Sequence, residues 1–123
     1  MNFNQGFPLF AVCIGVRTQG RYEIGVVYDP CNNELFHAAF RGGAYLNGQP
    51  IYVNKYSEGE DAYNNALVGT DLPGGMEDRQ LALYINRVVG NEVTQLWTLG
   101  APVLALCYIA AGRLHAYYAF HLK

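Results

Sequence analysis

The chain has 123 residues, 51% hydrophobic and 15% charged, with 10 tyrosines and a net charge of −2. That length is enough to bury one modest core. The negative balance and the lack of any Lys/Arg cluster exclude general attraction to phosphate backbones, so nucleic acid is not an expected partner.

In chain order, Met1–Gly6 is polar and gives no start of a domain. Phe7–Val16 is an apolar run of about ten residues, well short of a membrane span and without the basic flank of a signal peptide. It reads as a buried first strand, and no membrane partner is expected. Thr18-Gln19-Gly20 turns into Tyr22–Tyr28, a strand of period-two character. Asp29-Pro30-Cys31-Asn32-Asn33 is a turn built from breakers. Phe36–Phe40 is the next strand, and Arg41-Gly42-Gly43 lets the backbone reverse where a Cβ would clash. Ala44–Leu46 runs back to Asn47-Gly48, the dipeptide suited to a type I′ turn because both central residues take positive φ. Gln49–Val53 is one more strand, with Pro50 fitted to its start or to an edge. Asn54–Asn65, polar and acidic, reads as a loop over the surface.

The second half has a different texture. Ala66–Thr70 is a short strand ending at the breaker cluster Asp71-Leu72-Pro73-Gly74-Gly75. Met76–Val89 places Leu81, Tyr84, Ile85 and Val88 on one helical face, with Gly90 where a C-cap glycine belongs. Val93–Thr98 is another strand. Gly100-Ala101-Pro102 opens a second helix, proline taking a first-turn position that has no hydrogen bond to lose. This helix runs to about Ala111, is apolar nearly all round and therefore reads as buried. It stops at Gly112, and Leu114–Phe120 is the last strand.

Candidate chemistry is sparse. Cys13, Cys31 and Cys107 are odd in number and lie mostly in apolar runs, which predicts buried free thiols in a reducing compartment, the cytoplasm. His37, His115 and His121 have no metal spacing and no Ser, Cys or carboxylate at telling distance, so zinc is not expected. They read as strand-face or surface residues, with His115 or His121 as catalytic base the weaker alternative. Asp71 reads as a strand-end carboxylate, and Glu77-Asp78 as a helix-start pair favoured by the dipole. A helix N-terminus such as Gly100-Ala101-Pro102 offers unpaired N–H groups to an anion. The same residues equally suit a helix start with no ligand.

The order of these elements, with Asn2-Phe3…Phe7-Pro8…Ala11-Val12, Gly25-Val26-Val27-Tyr28-Asp29-Pro30, Gly43-Ala44…Asn47-Gly48, Gly100-Ala101-Pro102 and Ala110-Ala111-Gly112-Arg113-Leu114…Tyr117-Tyr118, resembles the inositol monophosphatase family along essentially the whole chain. The resemblance implies an α/β (α+β) fold. An antiparallel meander in 1–56 would be followed by strand-helix-strand-helix-strand in 66–123, together one partial domain of a layered sandwich over 1–123. It implies a parent activity of magnesium-dependent hydrolysis of a small phosphorylated substrate. It also assigns substrate contact to Gly100, Ala101 and Pro102, where the family has Gly-Ser/Thr-Ala, and to Ala119, where inositol-hydrolysing members tend to carry Glu.

The family's metal carboxylates come from a Gly-Glu helix end, an Asp-Pro-x-Asp-Gly-Thr loop before Asn-Phe and a Trp-Asp pair after the last strand. None has a counterpart in these residues, and Asp29-Pro30 is followed by no Asp-Gly-Thr. The expectation is therefore a truncated phosphomonoesterase with no catalytic residue or metal ligand of its own and no tightly bound Mg2+. With sheet edges and apolar surfaces left bare, it is expected to be homo-oligomeric or aggregation-prone. A sugar or nucleotide phosphatase of the same superfamily, or a non-catalytic structural or interaction remnant, remains the alternative.

Overall fold

The structure is a computed structural model that describes residues 2–55 and 64–120. It opens with a 3-10 turn at Phe3–Gln5 and an irregular stretch, then strands β1 (Val12–Thr18), β2 (Arg21–Asp29), β3 (Glu34–Ala39), β4 (Gly43–Leu46) and β5 (Gln49–Pro50). These five form an antiparallel meander in sequence order. Tight turns set its register. Gln19-Gly20 and Asn47-Gly48 are two-residue connections with positive φ throughout (47° and 79°; 48° and 80°), the geometry whose twist matches flanking strands. The β2–β3 turn is locked by Asp29, fully buried. Its Oδ1 accepts from the Cys31 and Asn32 backbone N–H at 2.9 and 3.2 Å, and its Oδ2 from Asn32 Nδ2 at 2.8 Å.

The second half is β6 (Leu67–Asp71), α1 (Met76–Glu92), β7 (Gln95–Thr98), α2 (Pro102–Ala110) and β8 (Ala116–Ala119). Its sheet is parallel throughout in the order β7-β6-β8. Alternation along the strands turns Thr70 and Tyr118 to one face, where Tyr118 Oη donates to Asn86 of α1 at 2.6 Å. The helix α2 packs against β6 and β8 on one side and β2 on the other, so the layers run helix, sheet, helix, sheet. Leu104 and Ala105 of α2, with Val68, Leu114 and Phe36, make the core, and the Phe36 and Tyr108 rings meet edge-on at 6.4 Å. Beyond α2, Arg113 donates from Nη1 to Glu34 of β3 at 2.8 Å, joining the halves.

The end of α2 follows from Gly112 at φ 73°. Gly112 N donates to Ile109 O at 3.0 Å and Arg113 N to Tyr108 O at 2.7 Å, the two bonds of a Schellman cap.

Several expectations are corrected. The first strand begins at Val12, because Phe7 N turns back to Asn2 O and Leu9 N to Phe7 O. It is a fully exposed edge, not a buried strand. The last strand is short, since Leu114 N is still held by Tyr108 O. Gly90 lies inside α1, which continues to Glu92 and is capped by extended Val93. The packed position of α1 is Ala82, with Asp78 and Asn86 half-buried on its side, whereas Leu81, Tyr84 and Val88 are exposed. The small Ala82 allows close approach, and the bulky stripe points outward. α2 lies between the two sheets but is not buried all round: Val103 and Leu106 remain exposed. Cys13 and Cys31 are free but exposed, and Cys107 is half-buried. Of the expected loop over Asn54–Asn65, residues 56–63 lie outside the described residues, as does His121.

Candidate functional site

The central strand β6 is left by connections going opposite ways: α1 leads to β7 on one flank, and α2 carries the chain back across to β8 on the other. In open α/β sheets such a switch point, outside the carboxyl ends of the strands, is where ligands bind. Asp71 is the last residue of β6 and pairs in register with Ala119, the last of β8. Two residues back, Gly69 pairs with Tyr117, so Asp71, Tyr117 and Ala119 share one face. A Cβ at Gly69 would come within 3.2 Å of the Tyr117 ring, which lies across it.

Asp71 gathers this end of the sheet. Its Oδ1 accepts from Gly100 N at 2.7 Å and its Oδ2 from Tyr117 Oη at 2.7 Å. Burial first, then the hydrogen bond to Asp71 and its charge, push the Tyr117 phenol well above its usual value. Burial also raises Tyr118, opposed by the Thr70 hydroxyl. Thr70 Oγ1 itself is buried without a hydrogen bond of ordinary geometry among the described residues. On the other side, Asn2 Nδ2 donates to Leu9 O at 2.7 Å, Leu99 O at 3.3 Å and Gly100 O at 3.2 Å. Gly100 sits at φ 64°, with room for a Cβ beside the Asn2 side chain at 3.4 Å. The left-handed backbone is what favours glycine here.

The three turn residues and Ala119 are thus brought together around Asp71. Their donor inventory is smaller than a generic helix start provides. Gly100 N–H is taken by Asp71, Pro102 has none, and Ala101 caps the helix without a side-chain bond. The first helical bond runs from Ala105 N to Ala101 O at 3.1 Å, which leaves Val103 and Leu104 as the orphan donors of the first turn. A cavity of about 160 Å³, lined by Asn2, Phe3, Leu9, Phe10 and residues 100–104, opens beside it.

The histidines lie elsewhere. His37 stacks on Tyr45 in the meander at 5.2 Å. His115 Nδ1 accepts from Leu67 N at 3.1 Å, at the opposite end of β6 from Asp71. Asp71 is spent on Gly100 and Tyr117, Asp29 on its own turn and Glu34 on Arg113. Among the described residues no group of three or more His, Cys, Asp or Glu could hold a metal ion. These donors do not fit a hard divalent cation, which needs converging oxygens. The linking roles of Asp71, Asn2 and Tyr117 have no signature in sequence, because the three are far apart in the chain: Asp71 and Tyr117 meet through the parallel sheet, and Asn2 joins them only at Gly100.

The inositol monophosphatase family model matches residues 1–123. Nus factor SuhB of Escherichia coli (strain K12) is 38% identical over 125 residues, covering 99% of this chain and 45% of that protein. Inositol monophosphatase 1 of Solanum lycopersicum is 38% identical over 120 residues, covering 95% of this chain and 42% of its own length. The solved structure of extragenic suppressor protein suhB from Bartonella henselae superposes with a TM-score of 0.90 at 32% identity, over 99% of this chain and 46% of that one. The chain spans about half the length of the curated relatives it matches.

Proposed function

The chain belongs to the inositol monophosphatase family, and from that premise we propose that it is the substrate-contacting middle of a phosphomonoesterase acting on inositol phosphate or a similar small phosphate ester. The observation that carries this reading is the convergence of the Gly100 turn and the end of β8 on Asp71 at the switch point. In this reading the dipole and orphan N–H groups of α2 take the phosphate. Ala119, which offers no acceptor, leaves selection among alcohol groups loose, because discrimination comes from buried acceptors that a wrong substrate would leave unpaired.

Magnesium chemistry belongs to the family expectation. The described residues supply no donor set for it, so no step is assigned to a metal. The 123 residues by themselves are then a binding scaffold without hydrolytic activity. The exposed side of α1 supports the different-class reading, a non-catalytic structural or interaction module.

The test is a hydrolysis assay of the purified chain with inositol monophosphate across a magnesium titration. The expected result is no turnover above buffer. A rate that tracks magnesium and survives further purification overturns the reading.

A further inference from the structure

We propose that Asp71 is a positioning residue: by holding the Gly100 peptide and the Tyr117 hydroxyl at once, it ties the start of α2 to the end of β8 and aims the first turn of that helix into the crevice. The proposal rests on reading the α2 start as the substrate contact.

Gly100 is a glycine at positive φ with nothing but Asn2 near its missing Cβ, and an unrestrained glycine exchanges readily between backbone wells. Here its peptide links are held on both sides. The N–H goes to Asp71 Oδ1 at 2.7 Å, and the carbonyl accepts from Asn2 Nδ2 at 3.2 Å. The acid bond is short and charge-assisted, the stronger kind. The other carboxylate oxygen is engaged by Tyr117 Oη at 2.7 Å, so the acid is itself fixed in orientation from β8. With both oxygens facing donors, its charge is partly spent before an anion arrives. Ala101, the N-cap, has no side-chain acceptor for the first-turn amides, and Pro102 cannot donate. The direction of the Val103 and Leu104 N–H groups therefore depends on how the Gly100 link is held. Without the acid, Gly100 keeps only the Asn2 side of the clamp, and the first turn of α2 loses its fixed aim while the core below it, Leu104 and Ala105, stays packed.

The experiment uses the 15N-labelled 123-residue chain, as wild type, Asp71→Asn, Asp71→Glu and Tyr117→Phe. Three signals are followed: hydrogen exchange of the Gly100 amide, the backbone shifts of Val103 and Leu104, and the Tyr117 phenol titration, isolated by difference from Tyr117→Phe. Asp71→Asn is expected to speed Gly100 exchange at least tenfold, move the Val103 and Leu104 amides, and lower the phenol part of the way, burial keeping it raised. The meander signals should stay in place, and Asp71→Glu should restore the phenol shift. A folded Asp71→Asn chain with Gly100 exchange, helix-start shifts and phenol titration all unchanged overturns the proposal. If that variant does not fold, the wild type decides alone. A Gly100 amide that exchanges as fast as an open loop overturns it. Inorganic phosphate added to the same samples separates the two readings. Val103 and Leu104 unmoved by phosphate while the Gly100 clamp persists refutes the substrate contact and leaves the positioning role standing.

Discussion

Cys107 lies on α2 beside an open apolar cavity of about 370 Å³ that it shares with Cys13, Val27 and Phe36. Burial, and then the neighbouring Cys13, push its thiol from 9.0 up to about 11. A folded-state value raised above the unfolded one favours the neutral thiol in the fold. Its stabilising contribution is complete below about pH 9 and is lost as pH rises through about 11. Melting points taken between pH 8 and 10 should fall for the wild type and fall less for Cys107→Ala. Identical slopes would remove Cys107 from the account. Ala119 supplies a second test. A glutamate there would stand in register beside Asp71 on the same face, and two carboxylates sharing a site resist joint ionisation. Ala119→Glu should therefore lower the melting point more at pH 7 than at pH 4, and Ala119→Gln should show no such difference. Equal losses at both pH values would mean the two side chains diverge. At this scale the turn residues were legible in sequence, since Asn47-Gly48 and Gly112 must take positive φ. The clamp was not: nothing local marks Asn2, Asp71 and Tyr117 as neighbours.

The helices show where a periodic pattern misleads. In α1 the sequence places Leu81, Tyr84, Ile85 and Val88 on one face, and that stripe exists, yet three of the four are exposed and Ala82 makes the buried contact. Periodicity reports which side chains are alike, not which side the sheet occupies. Ala82→Leu should accordingly cost about 1–3 kcal/mol by overpacking, whereas Leu81→Lys and Tyr84→Lys should each change stability by no more than about 0.5 kcal/mol. Chemical denaturation of the three variants checks the contrast, and the reverse order would place the sheet on the other side of α1. At the end of α2, Gly112→Ala forces a Cβ to 3.1 Å from Tyr52 O at φ 73°. It should destabilise by about 1–2 kcal/mol, read in the same experiment; no loss would mean that the Schellman turn is not needed to stop the helix.

For the whole molecule, element order followed from the sequence, because turn chemistry and the change from period two to helical period are local signals, whereas the layering was implied by the family resemblance alone. Burial did not follow. An apolar run such as Phe7–Val16 or an all-apolar helix such as α2 reads as interior, while β1 is an exposed edge and α2, though between the sheets, leaves Val103 and Leu106 exposed. Val12, Ile14 and Val16 on that edge, with the outer stripe of α1, are part of the bare apolar surface of the described residues, the kind that drives strand pairing and association. Sedimentation of the chain should show oligomers at micromolar concentration, and a monodisperse monomer would contradict this. The central claim, that these residues carry the family fold and the substrate contact but not the metal site, meets its most direct test in a chimera. Residues 1–123 replace the matching stretch of the Solanum lycopersicum inositol monophosphatase 1, and hydrolysis of inositol monophosphate is measured against magnesium beside the chain alone. The account predicts magnesium-dependent turnover in the chimera and none in the chain. A folded chimera that stays inactive, or a chain that turns over by itself, would contradict it.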